Sequence, residues 1–225
     1  SGLVKLAEVQ LALGEAKGAL GSYGRALAID GRHGQALAGV AELYLARGDF
    51  ARAAETKQKL ARAEERADAK FRLFVEAAEL WSSRVRNLDK AIVALEEARD
   101  IKPDDPWVLH SLVGAYGDRQ QWHKLAATLR ALAAVEEPEE RRTKTLYALA
   151  KLTWKKLREP TTAGQIFEEV LDLDPRHPTA FERVVAIHLE VGDFRALAGA
   201  YRRMILRLRE LSSPEVDELK HSLFH

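Results

Sequence analysis

Not one of the 225 residues is cysteine, which removes disulfides, thiolate zinc sites and a cysteine nucleophile together. Proline is scarce, at seven, and asparagine occurs once, at Asn87. No apolar run approaches the ~20 residues that a membrane span needs. Charge of either sign is not in excess: 35 Lys and Arg stand against 34 Asp and Glu. That balance argues against a broad nucleic-acid footprint. Strand signals are missing too, since no stretch alternates cleanly with β-branched residues between turn signals. Nor is there an H-E-x-x-H, a P-loop or a G-x-S-x-G. The seven histidines form no metal constellation, and His221 and His225, one helical turn apart, lack a third ligand. No catalytic residue, cofactor site or metal site is therefore expected, and the chain reads as a non-enzyme.

What remains is the helix-former set of Ala, Leu, Glu, Arg and Lys, ordered in a long period. "IDGRHGQA" (29–36), "IKPDDPWV" (101–108) and "LDPRHPTA" (173–180) share one frame 72 residues apart. A second marker agrees: "GDF" at 48–50 and 192–194 brackets "QQW" at 120–122. Joints at Gly14, Gly48, Arg86, Gln120 and Arg158 then alternate steps of 34 and 38 residues. Each step reads as two amphipathic helices with a break between them.

The proline pairs gain a mechanical reading. The first proline ends a helix, because the residue before it is pushed out of helical dihedrals. The second starts the next helix, where its missing N–H costs nothing. Gly31 and Gly34 are expected to do the same work through a left-handed cap, with Arg176 and His177 as solvated linker residues. The cluster "GEAKGALGSYG" (14–24) is read as close helix packing or a frayed terminal unit rather than a phosphate loop, because the register puts Gly18, Gly21 and Gly24 inside a helix. The carboxylate pairs Glu96-Glu97 and Glu168-Glu169 are read as a solvated face.

These residues resemble the tetratricopeptide repeats, whose pattern runs W-x2-L-G-x2-Y, then A-x3-F, then P. The odd units fit its second half through Ala19/Tyr23/Ala26/Gly31, Ala91/Leu95/Ala98/Pro103 and Ala163/Phe167/Val170/Pro175. In the even units Ala53 is kept, whereas Leu125 and Leu197 replace the small residue. Tyr44 and Tyr116 match the tyrosine slot; Gln10 and Ser82 do not. The even units are expected to carry a longer second helix or a longer exit, at "AEERADAK" and "VEEPEERR". The resemblance implies an all-α, right-handed superhelical solenoid of about six helix-turn-helix units plus a C-terminal helix. The units fall near 1–32, 33–66, 67–104, 105–137, 138–176 and 177–211, in one repeat domain, with a final helix at 214–224. Both ends read as cut, so a segment of a longer repeat protein is expected, with self-association through those ends as a consequence.

In that family the first helices line a concave groove that receives peptides or partner helices. The resemblance carries this face onto Gln35, Glu42, Glu76, Trp107, His110, Lys155 and Glu182. It implies a non-catalytic protein-interaction scaffold with a protein or peptide partner, basic or amphipathic in character, and no nucleic acid. Asn87 falls in a turn, so the lysine/asparagine clamp of chaperone-binding members is not reproduced. Two other readings stand beside this one: a regulatory or assembly segment of a larger enzyme, and a helical-repeat nucleic-acid binder. The latter needs a continuous basic stripe with stacking aromatics, and the groove candidates are mixed and rather acidic.

Overall fold

Each step between the named joints holds one second helix and the first helix that follows it, with a short irregular exit between them. A computed structural model describes residues 2–209. Among them stand twelve α-helices and no strand. First helices are α1 (Gly2–Ala12), α3 (Gly34–Ala46), α5 (Ala67–Glu79), α7 (Pro106–Asp118), α9 (Glu139–Leu152) and α11 (Ala180–Val191). Second helices are α2 (Ala16–Ile29), α4 (Phe50–Ala63), α6 (Leu88–Ile101), α8 (Trp122–Val135), α10 (Pro160–Leu173) and α12 (Phe194–Arg209). The expected helix at 214–224 and the histidines at 221 and 225 lie outside the described residues. The chain divides into two compact units, one up to Ala115 and the other from Tyr116 onward. In the first, each of α1 to α6 packs on its sequence neighbour; in the second, α8 to α12 do so.

Every first helix ends on a residue in the left-handed region, at Gly14, Gly48, Arg86, Gln120, Arg158 and Gly192. Four of these ends are Schellman motifs. Glu15, Asp49, Gln121 and Asp193 donate back to the carbonyls of Gln10, Tyr44, Tyr116 and His188, satisfying acceptors a helix end leaves open. Arg86, Gln120 and Arg158 hold this conformation against the steric cost of a Cβ. Arg86→Gly and Arg158→Gly are therefore expected to stabilise the protein by about 0.5–1 kcal/mol each, read as a rise in thermal midpoint. The exits from second helices work differently. Asp30, Lys102 and Asp174 all close their helices with φ between −129° and −137°, so Gly31 supplies no left-handed cap. Pro106 does open α7, whereas α11 begins at Ala180, two residues after Pro178.

The four additional residues of the longer period sit elsewhere than expected. α2, α4, α6, α8 and α10 are each 14 residues long. It is α5 and α9 that lengthen, each continuing into a π-helical turn, Leu80–Val85 and Thr153–Leu157. The wider turn shifts the helix register by one residue, so Trp81 rather than Ser82 fills the tyrosine slot. Trp81 is fully buried, donates its indole N–H to Gln58 Oε1 at 3.1 Å and carries Lys90 Nζ 4.3 Å above its ring.

The core follows the small-residue logic of the repeat. Ala19, Ala53, Ala91 and Ala163 are buried, at the place where two helices cross closely. Tyr23 packs with Val4, Ala7, Ala26, Val40 and Leu43. Gly18 lies against the Gln10 side chain, which accepts from Ser22 Oγ at 2.7 Å, so this glycine serves packing; Gly21 and Gly24 face open space.

The paired carboxylates are not a solvated face. Glu97 accepts from Arg62 Nε at 2.8 Å and from Gln58, and Glu169 pairs with Arg130. Glu168 bonds Arg203 at 2.8 Å and Arg207 at 2.6 Å, and Lys90 reaches Glu55 at 2.6 Å. Each contact ties one second helix to the next one along the chain.

Candidate partner-binding surface

The first-helix face is built from positions fixed by the left-handed joints. Gln35 and Glu42 project from α3, Glu76 from α5, and Trp107 and His110 from α7; all are exposed and all belong to the unit ending at Ala115. Lys155 and Glu182 are exposed residues of the other unit, the first in the π-helical turn after α9, the second in the first turn of α11. The seven candidates are thus split five and two.

Glu42 and Glu76 are brought together by a residue on a second helix. Lys57 Nζ stands 2.6 Å from Glu76 Oε2 and 3.8 Å from Glu42 Oε1. Its side chain is only 12% exposed, so the ammonium is the fixed partner of both carboxylates. The acidity read from Glu42 and Glu76 alone is therefore balanced in place. Lys57 holds the slot nine residues after the left-handed joint, where Tyr23 and Phe167 stand in other units. A lysine in an aromatic slot of the A-x3-F pattern, at Ala53 to Lys57, was the signal that could have identified it. Beside it opens a cleft of about 370 Å³ lined by Lys57, Glu76, Glu79, Leu80, Ser83 and Arg84. The Arg84 guanidinium lies 5.4 Å from the centre of the Phe50 ring.

Trp107 owes its position to the helix start. Asp105 Oδ1 accepts from Val108 N at 3.0 Å, an N-cap geometry, and Pro106 opens the helix. The indole is 43% exposed, and His110 follows one turn later on an exposed position. Lys155 is engaged differently, with Nζ 3.3 Å from the centre of the Trp154 ring, while Trp154 donates to Glu190 at 2.9 Å. Lys155 is thus held at the turn edge of α9.

The linker histidine is not simply solvated. His177 stacks on Tyr147 with ring centres 4.6 Å apart, and the Tyr147 hydroxyl bonds Thr179 Oγ1 at 2.8 Å. A cleft of about 450 Å³ opens here, lined by Glu139, Glu140, Thr143, Lys144, His177 and Pro178 among others. Hydrogen bonding and charge from Lys144 hold the Glu140 carboxyl below its usual range. Among the described residues no group of His, Asp and Glu could hold a metal ion, and no helix is long and apolar enough to cross a membrane.

No protein-family model and no curated protein matches this sequence. Solved structures do. A chain of the Naa15/Naa10 complex bound to HypK-THB superposes with a TM-score of 0.54 at 16% identity, over 99% of this chain and 33% of its own. Among the described residues of this chain, paired helices, left-handed joints and buried alanines at the crossings recur at the spacing of the repeat. The fold is that of a tetratricopeptide-like helical repeat array. Two proteins described as TPR proteins are also similar to the array. YrrB, described as having an unusual peptide-binding site, matches at 18% identity over 80% of the array and 89% of its own chain, with a TM-score of 0.41. TTC0263, a thermophilic protein of Thermus thermophilus, matches at 22% identity over 84% and 98%, with a TM-score of 0.34. The array spans about a third of the Naa15/Naa10 chain.

Proposed function

We propose that the array is a non-catalytic interaction scaffold whose first-helix face receives an amphipathic peptide or partner helix bearing basic residues. The observation that carries this reading is Trp107, a large aromatic left 43% exposed at a capped helix start. Rigid aromatic side chains of this kind anchor partners by burying large apolar area. Glu79 adds an exposed carboxylate beside the Lys57 bridge between Glu42 and Glu76, and that bridge shows the cation chemistry this cluster accepts.

The test is binding of synthetic amphipathic helices whose polar face is basic, acidic or neutral. The basic set binds, and Trp107→Ala weakens that binding by about 1–2 kcal/mol, roughly 5- to 30-fold. Lys57→Gln leaves Glu42 and Glu76 without their internal cation, so capture of the basic set accelerates at low salt. Preference for the acidic set, or equal binding by parent and Trp107→Ala, contradicts the proposal.

A further inference from the structure

At the end of α6 the array seats a lysine among its own residues. Lys102 Nζ stands 2.7 Å from Asp68 Oδ1 and 4.9 Å from the centre of the Phe71 ring, both residues of α5. In the 72-residue period the same three slots hold Asp174, Glu140 and Thr143, at the end of α10 and on α9. The acid on the first helix is kept, but the lysine has become a second acid and the ring a small hydroxyl. All three line the cleft of about 450 Å³ beside His177. A lysine and an aromatic ring occupy this place in one unit, and two substitutions open it in the other.

The charge of the cleft suits a cation. Glu139, Glu140 and Asp174 line it together with Lys144 and with His177, which stacks on Tyr147. Lys144 is bonded to Glu140. Asp174 Oδ1 accepts from Arg176 N at 3.0 Å, yet among the described residues no cationic side chain is bonded to Asp174 or Glu139. Thr143 is buried and donates its hydroxyl to the Glu139 carbonyl at 2.8 Å, so it supplies no charge. Leu173 and Pro178 add apolar lining, the kind of surface along which a lysine lays its stem while its head stays polar.

We infer that this cleft receives a lysine side chain of a partner protein, its ammonium against Asp174 and Glu139 and its stem along Leu173 and Pro178. The contact repeats between molecules what Lys102 and Asp68 make within one, with charge-assisted hydrogen bonds to carboxylates at the head. Every lining residue belongs to the unit from Tyr116 onward, and Trp107 to the other. Failure here therefore leaves the proposed partner binding standing.

NMR titration of the full chain tests this with a blocked alanine-rich peptide carrying one lysine, and with the same peptide carrying norleucine or glutamate in its place. The lysine peptide shifts the amide signals of Thr143, Asp174 and His177, and the other two do not. Asp174→Asn and Glu139→Gln each weaken that binding about 3- to 5-fold, with thermal midpoints near the parent's. Thr143→Phe/Asp174→Lys copies the Phe71 and Lys102 arrangement into the cleft and abolishes the shifts. A lysine peptide that leaves these signals in place overturns the inference. So do an equal response to the norleucine peptide and unchanged affinity in both carboxylate variants. A response to 1,5-diaminopentane without one to the lysine peptide also overturns it, making the cleft a site for free amines.

Discussion

Gly39→Ala is expected to destabilise the protein by about 1–3 kcal/mol, although alanine inside a helix normally gains roughly 0.5–1 kcal/mol over glycine. The sign reverses because a Cβ at this position falls on the Tyr23 ring. That ring is 3% exposed and locked in a cluster with Ala19, Ala26, Val40 and Leu43. It cannot swing out without opening the contact between α2 and α3. Tyr23→Leu removes the obstacle, so in that background Gly39→Ala should cost little or become stabilising. A double-mutant cycle by urea denaturation reads the coupling directly. A simple helix-propensity gain in both backgrounds would mean that the two helices are not in close contact there.

Glu168→Gln is expected to cost about 1–3 kcal/mol, in the range between exposed and fully buried ion pairs. Its side chain is 14% exposed and receives Arg203 and Arg207, while Arg207 also holds Asp172. Burial pushes the carboxyl pKa up, but hydrogen bonds and charge from the two arginines outweigh it and hold the group below its usual value. A carboxyl lowered in the folded state stabilises fully above its unfolded pKa, and that stabilisation disappears as pH falls through the folded value. The gap in stability between parent and Glu168→Gln should therefore be widest near neutrality and close in acid. Glu140, exposed and bonded to Lys144 one turn away, is held low in the same direction, so its gap should have the same sign and be much smaller, because solvent screens an exposed pair.

Much of this architecture was legible in the spacing, because the residues that set it act locally. Glycine at 14, 48 and 192 marked the helix breaks, and the 72-residue period carried the same breaks onto Arg86, Gln120 and Arg158, which no single-residue preference would have chosen. Ala19, Ala91 and Ala163 marked the close crossings for the same reason. The π-helical turns were not legible, since a one-residue register shift leaves no composition signal of its own; Trp81 beside Ser82 was its only trace. The ion pairs between second helices escaped because each joins residues 35 or 39 positions apart, and a carboxylate on a helix looks solvated until its neighbour is in place. The candidate surface was legible only as a set of faces. Lys57 was missed because it reaches that surface from a second helix; Lys155 was named, but the spacing gave no sign that its ammonium lies on Trp154.

Hydrogen exchange on the array, free and with a basic amphipathic helix bound, tests most directly whether the first-helix face is the working surface. Binding should slow exchange in α3, α5 and the start of α7 around Trp107, and leave α2, α4 and α6 as they are in the free protein. Protection confined to the second helices, with the start of α7 unaffected, would contradict it.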